Sequence, residues 1–257
     1  MITDTTVVTV SFNAADALAL MWESFKHHHP DFDGQWIVYD NGSTDGALEY
    51  AQKHANIVLH GSNNSLSHGD AISKACEYVT TPYLLHLDND LEFHGPVLEL
   101  LSKPFEYDWM TPAVYCSCLT RLYYPGCQTW KPPQEWESQY PYGTFDVYGK
   151  IWKGMWSPNI AVGLLKMEVV KRIHDLGISF GYYANDKKDE WYETGGMAYL
   201  FAKAMGYDCI ELESLWKHVT HWGSLSTLWA GSSDPVIQER YAKVQRRLVE
   251  FRAEVSQ

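Results

Sequence analysis

The sequence predicts an α/β fold in which a mainly parallel sheet is flanked by helices, with an amphipathic helix at the C-terminal end. Apolar, strand-like runs alternate with helical segments about every 25 to 30 residues, which is typical of βαβ units. Short polar clusters follow several of the apolar runs. The chain has 257 residues, of which 46% are hydrophobic and 20% charged. This is sufficient for one large globular domain or for a domain with an appendage.

The N-terminal part of the chain predicts four strands, each followed or preceded by a helix. VVTVSF (7–12) is an apolar run rich in β-branched residues, and the helical segment AADALALMWESFKHHH follows it. Asn13, with Asp16 three residues later, has the pattern of a helix N-cap. The next predicted strands are WIVYD (36–40), IVLH (57–60) and YLLHLD (83–88), with the predicted helices ALEYAQKHA and AISKACEYV between them.

The alternation weakens after residue 104. Residues 122–156 contain ten aromatic residues among prolines and glycines, and so long a loop is uncommon unless it has a function. These rings are predicted to stack on a bound ligand, to form a satellite hydrophobic cluster, or to combine the two. Further on, PNIAVGLLKM predicts a strand and EVVKRIHDLG a helix.

The tail DPVIQERYAKVQRRLVEFRAEV predicts a helix with one apolar stripe from Val236 to Val255. We expect this stripe to pack on the body of the protein or on the partner subunit of a homodimer. The helix also carries five basic residues, so that peripheral contact with an anionic membrane is the alternative. The domain boundaries that follow are 1–230 for the main domain and 231–257 for a helical extension.

Composition and charge exclude several classes of protein. No apolar run reaches the roughly 18 residues that span a bilayer, and MITDTTVVTVSF lacks the basic region of a signal peptide. The five cysteines include one close pair, Cys116 and Cys118, with no second pair to complete a zinc site. We therefore expect a cytoplasmic protein with reduced cysteines. The net charge of −12 argues against a nucleic-acid partner.

Three polar clusters occur where predicted strands end: Ser11-Phe12-Asn13, Asp40-Asn41-Gly42 and Asp88-Asn89-Asp90. Ligands of open α/β sheets bind at the carboxyl ends of the strands, so these clusters mark a candidate site. Two carboxylates separated by one residue suit Mg²⁺ or Mn²⁺ together with substrate phosphates. The alternatives are a solvated strand end, or a Ca²⁺ loop of the EF-hand type, which Phe93 at the required glycine position excludes.

Four segments in this order resemble family 2 glycosyltransferases, which have the GT-A fold: VVTVSFN, VYDNGSTDG, NNSLSHGDAISKA and YLLHLDND. The resemblance covers about the first 95 residues and implies inverting transfer of a sugar from a nucleotide diphosphate sugar, aided by Mn²⁺ or Mg²⁺. A UDP-sugar is the expected donor and a carbohydrate the expected acceptor. The resemblance also implies a nucleotide-binding half at 1–100 and an acceptor-binding half at 101–230.

The same resemblance implies roles for individual residues. Phe12 and Asn13 would flank the nucleoside, Asp40 would hold the base, and Asp88 would contact the ribose side. Asp90, the last residue of the DXD motif, would bind the metal. Asn41 and Asn89, from the same clusters, are also expected to bind the nucleotide sugar. His68 is predicted to open a helix close to the diphosphate and to bind it, because helix N-termini suit anions. Helix capping by Asn13 and turn formation by Asp40 are the alternative interpretations.

The second half of the family pattern is weaker in this chain. Trp191-Tyr192-Glu193-Thr194 resembles the segment that often carries a Glu-Asp pair, with Thr194 in place of the second acid. Glu193 is the predicted base for the acceptor hydroxyl, and Asp189 and Glu190 are its competitors. His221 precedes Trp-Gly-Ser in a segment that resembles the family's late histidine segment, and it is predicted to complete the metal site in preference to His218.

Two other functions are compatible with these features. A sugar nucleotidyltransferase would have a related fold, but such enzymes carry a glycine-rich basic loop after the first strand, where this chain reads SFNAADALAL. A non-catalytic carbohydrate-binding protein on a transferase fold would explain Thr194 and the surplus of aromatic residues.

Overall fold

The computed structural model describes residues 4–103, 113–116, 142–147, 150–155, 161–181, 183–185, 190–192, 194–195, 198, 201–202, 209–210, 215, 217–222 and 235–256. The strands in these ranges are β1 (Thr5–Ser11), β2 (Trp36–Asp40), β3 (Ile57–His60), β4 (Tyr83–Leu87), β5 (Leu91–Phe93), β6 (Ala113–Cys116), β7 (Tyr142–Val147), β8 (Lys150–Met155), β9 (Val162–Lys166), β10 (Tyr183–Asn185), β11 (Glu190–Tyr192), β12 (Cys209–Ile210) and β13 (Val219–His221). The helices are α1 (Ala15–His28), α2 (Ala47–His54), α3 (His68–Cys76), α4 (Leu98–Ser102), α5 (Met167–Asp175) and α6 (Pro235–Val255).

The central sheet has the strand order β12-β6-β9-β4-β1-β2-β3. Strands β3, β2, β1 and β4 are parallel to one another. Strand β9 is antiparallel to both β4 and β6. A four-stranded sheet, β10-β11-β8-β7, and a two-stranded antiparallel ribbon, β13-β5, complete the described topology. The predicted fold class, a mainly parallel sheet flanked by helices, is confirmed.

Helices cover both faces of the central sheet, which explains why its strands are continuously apolar. On one face Val7 belongs to a buried cluster with Leu18 and Phe25 of α1. On the other face Val8 belongs to a second cluster, which includes Ile72 of α3 and Val170 of α5. The alternation of successive β1 side chains between the two faces follows from the pleat of a strand.

Helix α6 packs along α1 and places its stripe on the body of the protein. Val244, Leu248 and Phe251 form a buried cluster with Leu20 and neighbouring alanines of α1. Two of the basic residues of α6 are used in ion pairs with the body, Arg247 with Glu92 and Arg252 with Glu23. In the part of the chain that the structure describes, none of the helices combines the length and the apolar character that a membrane crossing requires.

The predicted N-cap of α1 is wrong. The helix begins at Ala15 after Ala14, and Asp45 Oδ2, from the turn after β2, accepts a hydrogen bond from the backbone N–H of Ala15 at 2.9 Å. Asn13 has a positive φ of 46°, and its Oδ1 accepts a hydrogen bond from the backbone N–H of Thr44 at 2.7 Å. The side chain therefore ties the end of β1 to the turn after β2 and is not available to the helix.

Candidate functional site

The three predicted polar clusters meet at the carboxyl ends of β1, β2 and β4. Ser11 is in register with Asp40 across β1 and β2, and the backbone N–H of Asn41 donates to the Ser11 carbonyl at 2.8 Å. The Asn89 amide lies 3.5 Å from the Ser11 hydroxyl. Parallel strands place their carboxyl ends at one edge, and this is why residues so distant in the chain lie together.

Asp40 is fully buried at the end of β2. Its Oδ1 accepts hydrogen bonds from the backbone N–H groups of Gly42 and Ser43 at 3.0 and 2.9 Å, which shapes the turn as the alternative interpretation expected. The ring Nδ1 of His60 lies 3.3 Å from the same oxygen. Among the described residues, Asp40 Oδ2 has no hydrogen-bond partner.

Phe12, Asn13 and Asn41 line the same region but differ in their contacts. Phe12 is 8% exposed. The backbone N–H of Asn13 donates to the Ser43 hydroxyl at 2.9 Å. The Asn41 amide donates to Asn64 Oδ1 and to the Leu66 carbonyl, both at 2.8 Å, so it holds the loop between β3 and α3 against the sheet.

The ribbon of β5 and β13 brings His221 to the acidic cluster. His221 is in register with Leu91, the residue after Asp90, and the backbone N–H of Trp222 donates to the Asp90 carbonyl at 2.9 Å. His221 Nε2 lies 2.9 Å from Asp90 Oδ1 and 3.8 Å from Asp88 Oδ2. One ligand atom from each of Asp88, Asp90 and His221 falls within 4.8 Å of the other two.

The carboxylates and imidazoles of this region shift one another's pKa values. Burial lowers the pKa of His221, but the adjacent Asp90 and Asp88 outweigh it and raise that pKa to about 9. Burial would raise the pKa of Asp88, but the hydrogen bond from His68 and the nearby imidazoles outweigh it and lower that pKa. The carboxylates of Asp90 and Asp88 thus favour the protonated form of the His221 imidazole at neutral pH.

His68 is the first residue of α3, which is capped by the Ser67 hydroxyl accepting from the backbone N–H of Asp70 at 3.2 Å. Its Nε2 lies 3.1 Å from Asp88 Oδ1. Gly69 follows because a Cβ at this position would lie 1.9 Å from the carbonyl oxygen of Phe180. The close approach of α3 to the residues after α5 therefore fixes His68 beside the acidic cluster.

His86 is a site residue that the sequence analysis missed. It lies inside β4, its side chain is 1% exposed, and its Nε2 is 3.8 Å from Asp88 Oδ1. Burial lowers the pKa of His86 to about 4, against a smaller opposing effect of Asp88. The sequence could have indicated this role, because residues i and i+2 of a strand face the same side. His86, within LLHL, lies two residues before Asp88 and therefore shares a face with it.

Comparisons with known proteins agree with this architecture. A family model described as "Glycosyl transferase family 2" matches residues 6–163. The chain belongs to glycosyl transferase family 2. The family predicted from the sequence is confirmed, and the predicted domain boundaries at residues 100 and 230 stay predictions. A search of curated proteins found no match.

This family 2 chain is also similar in fold to a solved mannosyltransferase. The mannosyltransferase PcManGT from Pyrobaculum calidifontis, in complex with GDP-Man and Mn²⁺, aligns with a TM-score of 0.50 and 14% identity over 81% of this chain and 54% of its own. S. aureus TarS 1-349, in complex with UDP-GlcNAc, aligns with a TM-score of 0.46 and 15% identity over 72% of this chain and 50% of its own. The chain thus spans about half the length of these proteins.

The predicted base lies outside the described residues. Glu193 and its competitor Asp189 are not among them. Glu190 begins β11, whose backbone pairs with Asn185 of β10 and Lys153 of β8. The assignment of the base to Glu193 therefore stays a prediction.

Proposed function

We propose that this chain is a metal-dependent, inverting glycosyltransferase that moves a sugar from a nucleotide diphosphate sugar to an acceptor hydroxyl. The observation that carries the proposal is the contact of His221 with Asp90 at 2.9 Å, next to Asp88, at the carboxyl end of β4 in a family 2 chain. The mannosyltransferase with the similar fold is described in complex with GDP-Man and Mn²⁺, which supports the same class of donor here.

The donor atoms of this cluster fit a divalent cation. Asp90 and His221 would hold Mn²⁺ or Mg²⁺, and Asp88 lies close enough to contribute its Oδ2. Carboxylate oxygens suit both ions, and the imidazole favours Mn²⁺. When bound, the cation would neutralise the charge that develops on the leaving diphosphate.

The nucleoside would lie between the ends of β1 and β2. Phe12 and Asn13 flank this region, and Asn41 holds the loop beyond it through Asn64 and Leu66. The Oδ2 of Asp40, which lacks a partner among the described residues, supports a role in accepting a hydrogen bond from the base, such as the N3–H of uracil. A buried carboxylate oxygen without a donor costs free energy that such a hydrogen bond would recover.

The remaining residues would act on the diphosphate and the acceptor. His68, at the N-terminus of α3, would face the diphosphate, because the helix dipole favours negative charge there. Asp88 and Asn89 would contact the ribose side. Glu193 would take the proton of the acceptor hydroxyl, whose oxygen attacks the anomeric carbon opposite the leaving diphosphate. The bond from that carbon to the diphosphate oxygen breaks, and the configuration inverts.

A thermal-shift panel with UDP, GDP, CMP and dTDP, each with and without Mn²⁺, tests the proposal. A ligand at about 100 times its dissociation constant adds about 2.7 kcal/mol of stability, which for a domain of this size corresponds to roughly 5 to 10 °C. We expect the largest shift with UDP, further increased by Mn²⁺. Asp90→Asn should lose the Mn²⁺-dependent part, and the matched control Asp31→Asn, an exposed acid, should keep it.

The transfer reaction is then measured with the sugar donor of the nucleotide that binds, as the rate at which this nucleotide is released. Asp90→Asn should lower turnover at least a hundredfold while its far-UV circular dichroism stays that of the wild type. Unchanged turnover in this variant would refute the metal-dependent mechanism. Glu193→Gln provides the separate test of the base, with the Mn²⁺-dependent shift retained and the turnover lost.

A further inference from the structure

The imidazoles of His68 and His86 both face one oxygen of the Asp88 carboxylate. The other oxygen of that carboxylate faces His221. We propose that His68, His86 and Asp88 form a second cation site, separate from the Asp90–His221 pair, which takes a transition-metal ion such as Zn²⁺. This proposal concerns metal binding alone and goes beyond the proposed sugar transfer.

The spacing of the three ligand atoms is that of a metal site before any ion is added. In a tetrahedral zinc site with bonds of about 2.0 to 2.1 Å, neighbouring ligand atoms lie about 3.3 Å apart. Here the distance from Asp88 Oδ1 is 3.1 Å to His68 Nε2 and 3.8 Å to His86 Nε2. The three ligand atoms all lie within 4.8 Å of one another, so small side-chain movements would bring them to a common ion.

The three ligands are held by different parts of the scaffold. His68 is fixed at the start of α3 by the Ser67 cap and by the contact of Gly69 with the Phe180 backbone. His86 lies in the middle of the central sheet, in register with Val8 of β1 and with Gly163 of β9. The backbone N–H of Asp88 donates to the Ala161 carbonyl at 2.8 Å. Ligands on helices and strands keep their geometry better than ligands on loops.

The donor set selects the kind of ion. Two imidazole nitrogens and one carboxylate oxygen are the ligands of many zinc sites with an open fourth position, whereas Mg²⁺ prefers oxygen throughout. The side chain of His68 is 34% exposed, and that of His86 1% exposed. His68 therefore offers the side from which an ion can enter.

The competing interpretation is that both imidazoles only orient Asp88 through hydrogen bonding and electrostatic attraction. This interpretation predicts no Zn²⁺ binding once the Asp90–His221 pair is removed. The two interpretations therefore separate in an Asp90→Asn background, in which the first cation site is disabled and His68, His86 and Asp88 remain.

The experiment titrates the purified Asp90→Asn protein with Zn²⁺ in competition with a chromogenic chelator, and with Co²⁺ followed by its visible absorption. We expect one Zn²⁺ per chain and a Co²⁺ spectrum of low coordination number. Adding His86→Gln or His68→Gln should weaken Zn²⁺ binding at least tenfold and abolish the Co²⁺ bands. The matched control His54→Gln, at the end of α2 and outside the cluster, should change neither.

The outcomes decide the proposal without reference to sugar transfer. No Zn²⁺ bound by the Asp90→Asn protein, or equal affinity in the His86→Gln and His54→Gln variants, would overturn the second site. Circular dichroism shows whether each variant is folded. If His86→Gln does not fold, His68→Gln replaces it in the test, because the His68 side chain is partly exposed. If the Asp90→Asn protein binds no Zn²⁺ while the wild-type protein carries out Mn²⁺-dependent transfer, the second site fails and the proposed function stands. If the Asp90→Asn protein binds Zn²⁺ as expected while the wild-type protein carries out no transfer, only the proposed function fails.

Discussion

Arg247 joins the C-terminal helix to the strand that follows Asp90. Its Nε donates to Glu92 Oε1 at 2.6 Å, and the Glu92 side chain is 2% exposed. Glu92 is in register with Thr220 across the β5–β13 ribbon, which also carries His221. We predict that Arg247→Met, which keeps most of the aliphatic stem and removes the charge, strongly destabilises the protein.

The magnitude follows from the burial of the partner left behind. Removing one member of a buried ion pair costs about 3 to 5 kcal/mol, because the remaining charge has neither water nor a partner. The Arg247 side chain is 23% exposed, and His94 Nδ1 lies 3.8 Å from Glu92 Oε1. Water and this imidazole therefore offset part of the loss, and we expect the low end of the range, about 3 kcal/mol. For a chain of this size that corresponds to a melting temperature lower by roughly 6 to 12 °C.

The assay is urea unfolding at pH 7, with Arg252→Met as the matched control. Arg252 lies on the same helix and pairs with Glu23, with side chains 51% and 27% exposed, and such surface pairs contribute about 1 kcal/mol or less. Replacing the charge of the partner as well, in Arg247→Met with Glu92→Gln, should recover most of the loss. Equal stability of the two single variants, or no recovery in the double variant, would refute the reasoning.

Two further predictions concern the stability of the protein. His29 Nε2 accepts from the backbone N–H of Val97 at 3.0 Å, and burial lowers the pKa of His29 despite a hydrogen bond to the Phe25 carbonyl. The stabilisation that comes from the neutral His29 imidazole is present above the unfolded pKa of about 6.5 and is lost as the pH falls through the folded pKa. The urea midpoint should therefore fall less from pH 7.5 to pH 5 in His29→Gln than in the wild type. Parallel profiles would contradict this. In thermal melts, Gly69→Ala should lower stability by about 3 kcal/mol, because its Cβ would meet the Phe180 carbonyl. The control Gly177→Ala, with open space but a φ of +74°, should cost about 1 kcal/mol. Equal losses would show that the clash at Gly69 is relieved.

The sequence by itself determined the fold class, the family and the edge of the sheet at which the polar clusters meet. The strands WIVYD and IVLH have the predicted bounds, because a short apolar run between turn residues is a local signal. Asp40 and Asp88 were predicted to share one edge because parallel strands order their carboxyl ends in the same direction. Each of these inferences needs only the periodicity of a segment and the residues at its ends.

Only the tertiary structure decided which side chains meet. The contact of His221 with Asp90 depends on the register of β13 against β5, and the contact of Arg247 with Glu92 depends on how α6 lies over the body. Asn13 shows the limit of a local pattern, since its side chain bonds the turn after β2, and it is Asp45 that accepts from the first backbone N–H of the helix. Contacts between residues far apart in the chain are set by packing and register, and these depend on the whole chain at once, so no short segment encodes them.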